Sequence, residues 1–138
     1  MWAIYALLSA FFAALVAILA KIGITGIDSN LATAIRTVVI LVLTWSVVFA
    51  TVPLTTMKTL TAKNWTFLIL SGIATGLSWL FYFKAIQIGP VSRVAPIDKL
   101  SVAITIILAF LLFREQVSWQ VLCGGTLIVA GSLMMLWR

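Results

Sequence analysis

Four ionisable side chains stand where charge is costly. Arg36, Lys84, Asp98 and Lys99 each fall inside or at the end of a long apolar run. A charge at hydrocarbon depth costs at least ~2.5–3.5 kcal/mol on insertion scales, so such groups normally face a cavity or a partner. By helix rise, Arg36 and Lys99 sit about two turns, ~9 Å, inside their runs. A long side chain can snorkel to the interface, which suits Lys84 and Lys21. It suits Arg36 and Lys99 less well, and the short Asp98 side chain reaches least far. The expectation is a buried ion pair of Asp98 with Arg36 or Lys99. Fixed charges of this kind hold polar solutes. Covalent chemistry would need a nucleophile–base pair or a metal set, and the chain has no histidine, one cysteine and three scattered carboxylates. No enzyme activity, metal or other cofactor is expected, and Cys123 reads as a small buried hydrophobe.

Polar residues repeat at helical spacing beside these charges. Ser71, Thr75, Ser78 and Tyr82 recur at intervals of four, three and four, with Trp79 alongside. Asp98, Ser101 and Thr105 lie at i, i+3 and i+7; Thr33, Arg36 and Thr37 share a face that Thr44 and Thr51 continue. A single Ser or Thr in a membrane helix usually bonds its own i−4 carbonyl. Three aligned stripes on consecutive helices point instead to a water-accessible central cavity, with interhelical glue as the alternative. The candidate cavity residues are Arg36, Ser71, Thr75, Ser78, Trp79, Tyr82, Lys84, Asp98, Lys99, Ser101 and Thr105.

Five apolar runs must position these groups: residues 2–20, 31–52, 65–86, 91–113 and 117–137. Each is about the ~20 residues that a helix needs to cross a ~30 Å core. Hydrophobic residues make up 64% of 138 and charged residues 9%, and the mean hydropathy is +1.24. No polar surface remains for a soluble domain. The expected class is an all-α, polytopic membrane protein: one repeat of five transmembrane helices over residues 1–138, with the lipid bilayer as its surroundings. The net charge of +6 comes from basic residues placed singly at segment ends, which reads as interfacial anchoring and not as a nucleic-acid surface. Without a basic residue before Lys21, the first run reads as a spanning helix and not as a secretory signal. Trp2, Trp65, Trp119 and Trp137 mark span ends as an aromatic belt does; Trp45 and Trp79 lie inside.

Local signals punctuate the spans. Gly23 and Gly26 let the chain leave the first helix, Asp28-Ser29-Asn30 offers caps for the second, and Pro53 stops it. Asn64 is a candidate cap for the third, which ends at Gly89-Pro90. Pro96 falls in the first turns of the fourth, and Arg114-Glu115-Gln116 makes a tight turn into the fifth. An odd number of spans puts Lys58, Lys63 and Arg114 on one face of the membrane and Lys21, Arg93 and Arg138 on the other, with Arg36, Lys84 and Lys99 deeper. The near balance of loop charge fits dual topology; counting the deep charges favours one orientation, N-terminus out. Small residues that allow close helix approach recur at Ala6, Ala10, Ala13, Ala17 and Ala20, at Gly72 and Gly76, and at Gly124, Gly125 and Gly131.

The stretch from Gly76-Leu77-Ser78-Trp79 to Lys84-Ala85, the Gly89-Pro90 corner and Val94-Ala95-Pro96-Ile97-Asp98-Lys99, with Phe113-Arg114-Glu115-Gln116, resembles an EamA-type repeat of the drug/metabolite transporter superfamily. The resemblance covers the whole chain and is closest to the short, five-helix bacterial and archaeal branch. It implies a transporter of small metabolites in the cytoplasmic membrane. Most such proteins carry two repeats in opposite orientations, so a lone repeat implies a homodimer, of which the antiparallel form restores a midplane site and alternating access. The distantly related small multidrug proteins rely on an acid in the first helix, and residues 2–20 contain none. The cationic cavity groups favour a zwitterionic or anionic, amino-acid-like substrate. A small multidrug efflux protein and an accessory membrane subunit are the alternatives.

Overall fold

The computed structural model describes residues 1–137; Arg138, counted above among the interfacial charges, lies outside the described residues. Six α-helices and no strand occur among these residues: α1 Trp2–Gly23, α2 Ser29–Thr51, α3 Ala62–Ile88, α4 Val91–Asp98, α5 Ser101–Phe113 and α6 Trp119–Leu136. With α4 and α5 taken as one span, Val91–Phe113, five segments of 18–27 residues are long and apolar enough to cross a membrane. The all-α polytopic class expected from the sequence is what the chain adopts. Its outward faces carry large apolar side chains such as Phe11, Val42, Ile69 and Leu111. Lipid accepts that surface, whereas water would not.

The fourth span departs from the continuous helix expected over 91–113. Pro96 lies within α4, where it has no N–H to donate and its ring crowds the carbonyl one turn earlier. Beyond it the ladder tightens to i→i−3 bonds: Lys99 N–H to Pro96 O at 3.0 Å, Leu100 N–H to Ile97 O at 3.0 Å, Val102 N–H to Lys99 O at 3.0 Å and Ala103 N–H to Leu100 O at 3.1 Å. Such a mid-helix 3₁₀ stretch is a common mark of a hinge. Pro96 O also accepts a bond from the hydroxyl of buried Ser132 on α6, at 2.8 Å.

Other local expectations are refined. The connection after Pro53 contains a short 3₁₀ helix, Leu54–Thr59. The cap of α3 is Thr61 and not Asn64: its hydroxyl oxygen accepts from Asn64 N–H at 3.2 Å and donates to Asn64 Oδ1 at 2.9 Å. The turn into the last helix runs over 114–118, opened by Arg114 at φ 53°. Gly26 at φ 80° supplies the left-handed residue between α1 and α2.

The chain divides into two compact units, one of Leu19–Gln87 and one of Met1–Ile18 with the chain from Ile88 onward. In the second, α6 packs against both α4 and α5. There a Cβ added to Gly125 would lie 2.9 Å from Ile106 Cδ1, so that glycine serves close approach within the chain. Gly124 and Gly131, by contrast, have open space.

Candidate functional site

In the Leu19–Gln87 unit, polar contacts tie the end of α1 and the start of α2 to the end of α3. Asp28 caps α2 by accepting from Asn30 N–H at 2.8 Å and Leu31 N–H at 3.3 Å. Just before it, Ile27 O accepts from Gln87 Nε2 at 2.8 Å. Lys21 Nζ donates to Ile86 O at 2.5 Å, where a cation complements the carbonyl end of a helix. The start of α2 and the end of α3 therefore stand at one level.

Depths follow from that level. At 1.5 Å per residue, Arg36 lies ~10 Å in from Ser29, while Phe83 and Trp79 lie ~8 Å and ~14 Å in from Ile88. The Arg36 guanidinium carbon sits 3.9 Å from the Trp79 ring centroid and 5.0 Å from that of Phe83. The nearer ring is the deeper one. Arg36 therefore reaches inward, and snorkelling to the interface does not describe it. A cation over an aromatic face gains ~0.5–2 kcal/mol, short of the ~2.5–3.5 kcal/mol or more that its depth costs. A guanidinium carries five N–H donors, and the ring faces beside Arg36 do not pair with them as carboxylate oxygens would. The arrangement sets a cationic fork over an indole ring.

The remaining predicted residues separate into two behaviours. Tyr82, half-buried, is ring-to-ring with Phe83 at 6.4 Å and belongs to the Arg36 neighbourhood. Lys84 turns along its own helix to Gln87 Oε1 at 3.4 Å. Ser71, Thr75 and Ser78 lie exposed further along α3, and Thr75 donates to Ser71 O at 2.9 Å. Thr33, Thr37, Thr44 and Thr51 on α2 make the same i−4 bond, at 2.7–2.8 Å.

In the other unit Asp98 pairs with its neighbour Lys99, Oδ2 to Nζ at 3.3 Å, with Lys99 54% and Asp98 39% exposed. One of the two expected partners is found, but the pair is open and not buried. It stands at the break between α4 and α5. Ser101, exposed, opens α5, and its carbonyl accepts from Thr105 at 2.9 Å.

Phe83, Gln87 and Ser132 were not singled out from the sequence. Phe83 is buried under Arg36 and follows Trp79 by four residues, so an i, i+4 aromatic pair was legible. Gln87 and Ser132 bond carbonyls 60 and 36 residues away, and no local pattern announces such partners.

Five spans long and apolar enough to cross a membrane are the frame of a polytopic membrane protein. Residues 1–137 match the EamA-like transporter family, and the chain belongs to that family. It is 45% identical over 134 residues to a Sinorhizobium protein described as an uncharacterized transporter in the cobO 3′ region, covering 97% of this chain and 95% of that one. No solved structure matches the chain. Family and relative together point to a multi-pass membrane transporter and away from an enzyme.

Proposed function

We propose that this protein carries small zwitterionic or anionic metabolites, amino acids among them, across a bacterial or archaeal cytoplasmic membrane by alternating access. It works as a homodimer equivalent to a ten-helix transporter, with the two copies antiparallel. The observation that supports this reading most is the inward-turned Arg36 guanidinium over the Trp79 ring, because a family of small-solute carriers has a use for a cation inside a span. The dimer draws support from α3, where a Cβ added at Gly72 or Gly76 would meet nothing within 4 Å, leaving a face that a second copy can approach closely.

Uptake into proteoliposomes tests the substrate class: alanine or a monocarboxylate is accumulated in preference to quaternary ammonium compounds. The reverse preference returns the small multidrug reading. Cysteines placed by Ser71→Cys, Thr75→Cys, Ser78→Cys and Tyr82→Cys react with water-soluble thiol reagents if the path is wet. If all four stay inert, the accessory-subunit reading gains. Topology labelling that finds both orientations supports the antiparallel dimer, and a single orientation removes it.

A further inference from the structure

We infer that Arg36 is the carboxylate anchor of the transport path, and that Trp79 is a positioning residue that holds its flat face so that the N–H edge meets the solute. The assignment rests on the transport reading for where the solute travels, though not for its binding. Three observations carry it. The guanidinium is 3.9 Å from the Trp79 ring centroid and 5.0 Å from that of Phe83, and Phe83 is itself buried, so its ring has little room to move. The register set by Gln87 and Ile27 holds Arg36, about two helical turns in from the start of α2, beside these rings. Nearby cations are committed elsewhere: Lys21 to the Ile86 carbonyl and Lys84 to the Gln87 amide.

The class of ligand follows from geometry and charge. A planar fork presented edge-on matches a planar carboxylate with two parallel N–H···O bonds. One guanidinium neutralises one negative charge. A phosphate dianion would leave a second charge uncompensated in a medium of low dielectric, and an organic cation is repelled. The anchor therefore selects solutes with a single carboxylate, such as neutral amino acids or short monocarboxylates. A lipid headgroup offers similar oxyanion chemistry and must be distinguished.

The test uses the full-length protein in phosphatidylcholine vesicles, with apparent affinity read from ligand-induced thermal stabilisation. Propionate stabilises the wild type, while inorganic phosphate and tetramethylammonium do so at least ~10-fold more weakly. Arg36→Gln weakens propionate binding by about 10- to 100-fold. Arg36→Lys does not restore it, because an ammonium can neither fork nor lie flat on indole. Trp79→Phe, which keeps the charge and an aromatic ring, weakens it by a few-fold and guards against misfolding of the Arg36 variants. Wild-type affinity in Arg36→Lys, or in Arg36→Gln, overturns the anchor. So does loss of the propionate response on adding phosphatidylglycerol, which would mark a headgroup site. Arg36-dependent binding without uptake upholds the anchor and removes the transport reading; uptake indifferent to Arg36 does the opposite.

Discussion

From Trp79 to Ile88, α3 is held by the chain around it: Arg36 lies over Trp79 and Phe83, Lys21 reaches the Ile86 carbonyl, and Gln87 grips Ile27. From Ala62 to Ser78 the same helix is exposed along its length, its two glycines open and Thr75 turned to its own backbone. Composition differs as well: residues 79–88 hold four aromatics and no serine or threonine, whereas residues 62–78 hold two aromatics and four serines or threonines. What holds the second half is polar contact with other segments, through Lys21 and Gln87. Lipid tails are as apolar as leucine, so apolar surface alone gives helices little reason to meet. Close packing and hydrogen bonds hold one half; the other is exposed along its length.

The largest expected contrast comes from truncating one apolar side chain in each half. Phe83→Ala removes a buried ring and destabilises by about 2–3 kcal/mol, somewhat below the ~3–5 kcal/mol of a soluble core because lipid tails can fill part of the gap. Leu70→Ala, more than half exposed, changes stability by under about 0.5 kcal/mol. Equal losses in reversible unfolding from mixed micelles would erase the distinction between the halves.

Next in size is the register bond. Gln87→Leu leaves the Ile27 carbonyl without its donor and costs about 1 kcal/mol. The same change also loosens Arg36 from Trp79, which a red shift in the emission difference between this variant and its Trp79→Phe counterpart would report. Stability lost with unchanged emission would mean that the two contacts are independent.

Glycine substitutions sharpen the comparison by sign. Gly125→Ala pushes a Cβ against Ile106, the movable end of a side chain, and costs about 1 kcal/mol. Gly76→Ala meets open space and raises helix stability by about 0.5–1 kcal/mol in the monomer. If α3 is the dimer face, the same change lowers the dimer fraction in cross-linking. A stabilised monomer with an unaltered dimer fraction moves the interface elsewhere.

The smallest effect separates hydroxyls that bind solute from hydroxyls that serve the backbone. Thr44→Val, on an exposed face of α2 with its i−4 bond to Ile40, changes stability by about a few tenths of a kcal/mol and leaves uptake unchanged. Thr75→Val is equally mild on stability but lowers uptake if Thr75 lines the path. Matching uptake in both variants would remove Thr75 from the cavity lining.

Span number, helical class and membrane solvent were all legible in the sequence, because each depends on length and local composition. Asp28 as a cap and Gly26 as a turn residue were legible for the same reason. The Arg36 depth was readable from helix rise, and it marked the group that the fold then placed on Trp79. Which ring would take it was not readable, because that choice depends on how far α3 slides along α2, and one amide bond between Gln87 and Ile27 sets it. The fourth span shows the same division. Pro96 could be seen among the first turns, but the break at Asp98–Lys99 that leaves their ion pair open emerged only with Ser132 bonded to the Pro96 carbonyl from another helix. Local pattern determined what each segment is, since backbone hydrogen bonds in lipid must close within the segment. Tertiary structure decided which charges are satisfied, since a side chain's partner lies wherever the packing of separate helices brings it.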